Sequence, residues 1–245
     1  KILTALAIVL LGGSTAFAQF TTCGQAFNYP GPTQVTVTMM NNVSCLASGS
    51  VGVYLGNYVK LALNGKTLDG NNAGGSIGIR IAGSTVNVAG PGIVSGFSSG
   101  VRALSGNSIQ MTSFTTRLSG QTGIYTAAAS STIMSGVTVR DTLSTTANGI
   151  YCGGPCTVLG AIVSNHDADG IQCNANCGVY LTAISNTGSQ DIQVNAGYGL
   201  YEYRSCPHDI NTVFGATTTL SELTSCSSIN CLGSGTYQGD TWACN

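Results

Sequence analysis

A glycine followed by a β-branched apolar residue returns at near-constant spacing through the middle of the chain, and no other feature limits the fold as sharply. The pairs are Gly52-Val53, Gly78-Ile79, Gly100-Val101, Gly123-Ile124, Gly149-Ile150 and Gly170-Ile171, with Asp191-Ile192 in the next slot. The intervals are 26, 22, 23, 26, 21 and 21 residues. Each period also holds short alternating runs such as Val86-Asn87-Val88, Ile109-Gln110-Met111, Val137-Thr138-Val139 and Val179-Tyr180-Leu181, the period-two signal of strands. Strands this brief, separated by Gly, Ser, Asn and Thr turns, leave no room for helices. The pattern predicts an all-β fold, a single-stranded right-handed parallel β-helix of about seven coils, each period being one coil.

Coils stacked at the ordinary strand spacing of about 4.8 Å place like residues over like. Inward Ile, Val and Leu then form a continuous column, and the last periods put Asn165 over Asn186 with Asp141 before them. That alignment predicts a side-chain ladder of amides bonding along the stack. Stacked charges of one sign would repel, and the chain carries only 17 charged residues in 245, or 7%, against about a quarter in an ordinary domain. Gly, Ser, Thr and Asn number 107 and supply the polarity instead. The eight Lys and Arg are scattered along the sequence, which excludes nucleic-acid binding through a basic field. A hydrophobic content of 43% excludes disorder.

Lys1, the apolar run Ile2 to Leu11 and Ala16-Phe17-Ala18 read as a signal peptide cleaved after Ala18. No later stretch reaches the ~18 apolar residues of a membrane span. The expected organisation is signal peptide 1–18, N-terminal cap 19–50, β-helix 51–200 and C-terminal cap 201–245, in a secreted or cell-surface protein. Ten cysteines suit that oxidising compartment. Cys23 and Cys45 flank the segment before the first coil, where a cap should cover the open end of the core, and are expected to pair; Cys206, Cys226, Cys231 and Cys244 fall past the last coil and could close the other end. Cys152-x-x-x-Cys156 and Cys173-x-x-x-Cys177 are offset by 21 at both positions, so they occupy stacked turns. Disulfides are favoured there over zinc. Their connectivity stays open, within each turn or between turns, because one coil rise fits the usual Cα separation of a bridge.

The run Val59-Lys60-Leu61-Ala62-Leu63-Asn64-Gly65-Lys66-Thr67-Leu68-Asp69-Gly70, with Gly78-Ile79 and Gly90-Pro91-Gly92-Ile93-Val94-Ser95-Gly96-Phe97, resembles the opening coils of secreted right-handed parallel β-helix repeat proteins, the pectate-lyase-like superfamily. The resemblance covers roughly residues 45–200 and implies a fold more than a chemistry, since the superfamily hosts lyases, hydrolases, epimerases, adhesins and proteins without known activity.

Two clusters could carry catalysis. Asn165-His166-Asp167-Ala168-Asp169-Gly170 is similar to the Asp-Gly stretch of polygalacturonases, whose paired carboxylates do acid/base work. The second carboxylate motif, the Gly-His-Gly and the Arg-x-Lys of that family are missing, as is the Arg-x-x-Pro-x-x-Arg of calcium-dependent pectate lyases. Asp167 and Asp169 could instead bind calcium, or the stretch could be a solvated Asx turn. Pro207-His208-Asp209 is similar to the Asp-Pro-His-acid motif of alginate C5-epimerases, with Cys206 where the family has its catalytic aspartate. The catalytic candidates are therefore His166, Asp167, Asp169, His208 and Asp209. Tyr180, Tyr198, Tyr201 and Tyr203 are the candidate sugar contacts. With so few acids and cations, the sequence favours a non-catalytic structural, adhesive or self-assembling protein over a uronate lyase or epimerase, with a hydrolase last. The expected partner is a polysaccharide or a second copy, end to end or side by side, with no metal required.

Overall fold

The structure is a computed structural model describing residues 18–245 except 129, 190, 196–197, 204–208, 213–216, 222–229, 233, 238–239 and 244–245; for 186, 199 and 201 onward it describes backbone alone. The signal-peptide reading and Cys206, His208, Cys226 and Cys244 thus lie outside the described residues, as do the side chains of Tyr201, Tyr203, Asp209 and Cys231.

Every coil runs across three flat faces. Face A stacks Val35–Met39, Val59–Ala62, Val86–Ala89, Gly106–Thr112, Ser130–Ser135, Cys156–Leu159, Cys177–Tyr180 and Gly199–Tyr203, all parallel. Face B holds Val43–Ser44, the opening of Thr67–Ile81 and of Ile93–Ala103, then Thr115–Arg117, Thr138–Arg140, Ile162–His166 and Ala183–Thr187. Face C holds Gln25–Phe27, Val51–Leu55, the closing parts of Thr67–Ile81 and Ile93–Ala103, then Thr122–Thr126, Asn148–Cys152, Ile171–Cys173 and Ile192–Val194. The solenoid has about eight turns rather than seven. The extra one precedes Gly52: Gln25–Phe27, Val35–Met39 and Val43–Ser44 already occupy all three faces but lack the Gly-Ile marker by which coils are counted in the sequence.

Each face contributes one inward column. On face C it is Val53, Ile79, Val101, Ile124, Ile150, Ile171 and Ile192, every member 0% exposed. Face A supplies Val37, Leu61, Val88, Met111, Met134, Val158 and Val179, and face B supplies Leu68, Val94, Thr116, Val139, Val163 and Ile184. The recurrent glycine sits where faces B and C meet. A Cβ on Gly123 would lie 2.2 Å from Val139 Cγ1 and 2.8 Å from the Gly149 carbonyl oxygen. On Gly149 it would meet the Gly170 carbonyl oxygen at 2.6 Å. Backbone of the next coil thus fills the space of a methyl group.

The same corner carries the ladder. Leu118, Asp141 and Asn165 have φ of 52°, 58° and 60°, the left-handed region that Asn and Asp tolerate best after Gly. Asn165 Nδ2 donates to Asp141 Oδ1 at 2.7 Å. At the opposite corner, between faces C and A, Cys152–Cys156 and Cys173–Cys177 each close their own turn, with Cα separations of 6.1 and 6.2 Å. Cys156 and Cys177 sulfurs approach to 3.6 Å across the coils. Cys23 pairs with Cys45 as expected.

Two substitutions and a control test these corners by urea denaturation. Gly123→Ala is expected to lower stability by about 1–3 kcal/mol through overpacking, while Gly31→Ala, where a Cβ meets nothing within 4 Å, leaves the midpoint unchanged. Leu181 has φ 49° at the face A to face B corner that Gly136 and Gly160 occupy in earlier coils, and Leu181→Gly is expected to gain about 1 kcal/mol by relieving it.

Candidate carbohydrate-contacting faces

The catalytic cluster read from sequence is split by the wall of the solenoid. In Ile162–His166 the strand alternation breaks at Asn165, whose left-handed backbone turns its own side chain outward and the next one in. His166 is 2% exposed, whereas Asp167 faces solvent. The imidazole fills the space left by the missing Cβ of Gly149, since that atom would lie 2.7 Å from Nε2. Its Nε2 lies 3.2 Å from the Val139 carbonyl and its Nδ1 3.3 Å from the Thr142 hydroxyl. A neutral ring with its proton on Nε2 donates to Val139 and turns its acceptor toward Thr142. Burial lowers the His166 pKa from 6.5 to about 4, against the opposing pull of the Val139 hydrogen bond and of Asp141 and Asp167.

Asp169 is 5% exposed, and its N–H donates to Asn148 Oδ1 at 3.1 Å. Asp191, in the glycine slot, is 2% exposed and accepts from the Thr187 hydroxyl at 2.7 Å. Asp167 and Asp169 are not joined by a third carboxylate or imidazole within ligand reach; among the described residues the sole such group is Cys152, Cys156 and Cys177, already held in disulfides.

On face A the candidate Tyr180 borders a shallow groove of about 320 Å³, lined also by Ser131, Ile133, Thr157, Asn176 and Gly178. Its ring lies over Gly178, where a Cβ would come within 2.6 Å of Cε2 and 2.9 Å of the hydroxyl. Ile133 is 49% exposed beside it. The register puts Tyr203 on Tyr180 and Tyr201 on Gly178 in the next strand. Tyr198 is 40% exposed between faces C and A. The arrangement offers a ring, an aliphatic surface and hydroxyl and amide groups, with no carboxylate, imidazole, ammonium or guanidinium in the lining.

Face C carries a second feature that reading along the chain missed. The outward residue two positions after each repeated glycine stacks into one column: Tyr54, Arg80, Arg102, Tyr125, Tyr151, Gln172 and, after Asp191, Gln193. Arg80 lies over the Tyr54 ring at 5.8 Å and Arg102 over Tyr125 at 5.0 Å. Tyr125 and Tyr151 stack with centroids 5.0 Å apart and planes 5° from parallel. Their faces are thereby engaged within the ladder, which leaves ring edges and polar tips to meet a ligand. Higher up the column turns to amides. Asn148 Nδ2 donates to Gln172 Oε1 at 2.7 Å, Asn174 to the Tyr151 hydroxyl, Asn195 to Asn174 and Gln193 to Asn195. The signal for this column was the common offset from the glycine.

Because the folded-state pKa of His166 lies below that of the unfolded chain, its neutral form stabilises the fold fully above about pH 6.5. Between pH 6.5 and about 4 the unfolded chain binds a proton that the native state refuses, so stability falls by about 1.4 kcal/mol per pH unit from this group. Thermal melts across that range are expected to show a slope in the wild type that is shallower in His166→Thr, the residue found at positions 142 and 187 of the same column.

No known family model and no curated protein matches the chain. Among solved structures, the alginate lyase from Paenibacillus sp. str. FPU-7 superposes with a TM-score of 0.55 at 11% identity, over 88% of this chain and 98% of that one. The enzymatically active domain of bacteriophage CBA120 tailspike protein 2 gives a TM-score of 0.49 at 10% identity, over 91% of this chain and 42% of that one. At 11% identity the likeness to the alginate lyase is one of fold alone, and it agrees with the β-helix architecture implied by the sequence resemblance.

Proposed function

We propose that the protein is an extracellular β-helix that contacts carbohydrate through the face A groove without turning it over. The observation that carries this reading is the lining of the groove: Tyr180 seated over Gly178, exposed Ile133, and the hydroxyl and amide groups of Ser131, Thr157 and Asn176. Sugar rings present apolar faces and hydroxyl edges, and an aromatic ring with nearby neutral donors and acceptors meets both. Proton transfer needs a group that titrates near the working pH. His166 is walled into the core on the far side of face B. Export fits the three disulfides among the described residues, since bridges persist in oxidising compartments.

A second reading, a polysaccharide lyase, is favoured by the fold shared with an alginate lyase over nearly the whole of both chains. One experiment separates them. Purified protein is incubated with polyuronates, with and without calcium, while unsaturated products are followed by ultraviolet absorbance, and binding to the same and to neutral polymers is followed by affinity electrophoresis. The binding reading expects retardation without product, and Tyr180→Ala is expected to weaken binding about tenfold, the scale of one lost ring contact. Product formation would overturn it in favour of the lyase.

A further inference from the structure

The arginines of this chain look scattered in sequence, yet the coil register sets four of them in two vertical pairs. Arg80 pairs with Arg102 on face C and Arg117 with Arg140 on face B. Like charges directly opposite on neighbouring strands are unfavourable. On face B the pair has a counter-charge, because Arg140 Nε lies 3.7 Å from Asp141. On face C Arg80 and Arg102 have no ion-pair partner among the described residues; Arg102 Nε, like Arg117 Nε on face B, is shut off from water with no hydrogen-bond partner. The tyrosines beneath and above them hold the guanidinium planes by cation–π contact without neutralising them.

The surroundings sharpen the pattern. Flanking the ladder on one side run Val51, Ile77, Ser99, Thr122 and Asn148, and on the other Gly56, Ala82, Leu104, Ala127 and Gly153. No carboxylate appears beside Arg80 or Arg102 in either column. The chain from residue 18 onward is polarised in the same sense: residues 18–140 contain six basic residues and one acid, while residues 141–245 contain one basic residue and eight acids. A near-neutral molecule thus carries a strongly cationic half, and its uncompensated pair sits in line with the Tyr125 and Tyr151 hydroxyls and the Gln172 amide.

We propose that face C binds an acidic polysaccharide laid parallel to the rod axis, its acid groups on Arg80 and Arg102 and its hydroxyls on the tyrosine and amide positions above. Guanidinium forks match carboxylate and sulfate oxygens alike. One donor position recurs at every coil rise of about 4.8 Å, close to the repeat of a polymer with an acid group on each sugar. This site is distinct from the face A groove and does not depend on it.

Affinity electrophoresis through gels containing polygalacturonate, dextran sulfate or plain dextran tests the proposal, with the folded state of each variant checked by its thermal midpoint. The wild type is expected to be retarded by an acidic polymer and not through this face by dextran, the uronate and sulfate gels telling which acid is preferred. Arg80→Gln with Arg102→Gln is expected to weaken that binding at least tenfold. Arg117→Gln with Arg140→Gln removes the same charge from face B and is expected to change it less than twofold. If the first double variant does not fold, each single variant carries the test with an expected loss of at least threefold. Equal loss in both double variants, or none in the first, would overturn the site. Sedimentation of the protein alone supplies the last arm: salt-sensitive self-association abolished by the face C variant, with no retardation by acidic polymers, would assign the arginines to the acidic half of a second copy instead. Loss of retardation in Tyr180→Ala but not in the arginine variants would leave the groove standing and remove this proposal alone.

Discussion

The hydrogen bonding of each coil to the next in parallel register is what the rest of the molecule depends on. It fixes the rise at about 4.8 Å and forbids any residue from choosing its vertical neighbours. An inward residue therefore packs under its own equivalent, and the column of Val and Ile on face C, all fully buried, is one decision repeated seven times. The same rule applies to polar groups. Asn165 bonds Asp141 because both occupy one corner in one backbone conformation, and the stacked cysteines approach because their turns are equivalent.

Repetition also sets the limits on composition. Where faces B and C meet, the carbonyl of the next coil stands where a side chain would go, so the column is glycine until Asp191. There the slot accepts a carboxylate that is nearly inaccessible and bonded to Thr187. Charged residues on a flat face meet like over like, which accounts for their scarcity and for the use of Ser, Thr and Asn in their place. Tolerated exceptions have visible compensation, as with Arg140 and Asp141, or are held by aromatic neighbours, as with Arg80 and Arg102.

The architecture was legible in the sequence because the glycine spacing reports the coil directly. The first coil was missed since it lacks that mark, and the disulfide connectivity was undetermined because within-turn and between-turn bridges are geometrically alike at one coil rise. The burial of His166 was hidden from the sequence for a local reason. A plain strand would place it outward with Ile162 and Ser164, but the left-handed Asn165 inverts the alternation and puts the imidazole inside. Tyr180 was legible as an aromatic candidate, whereas the bare backbone of Gly178 beneath its ring could be recognised only in three dimensions.

The arginines show how linear and stacked readings of charge diverge. Counted along the chain, Arg80 and Arg102 are 22 residues apart and contribute to a net charge of −1; counted across the coils, they are register partners. The Debye length is about 8 Å at physiological salt, so a ligand on face C responds to that pair and little to the acids of the distant coils. Scarcity of cations is therefore not weakness toward anions in a solenoid. A few charges suffice when the fold brings them onto one line and holds their counter-charges elsewhere, and net charge loses its value as a guide to what such a surface binds.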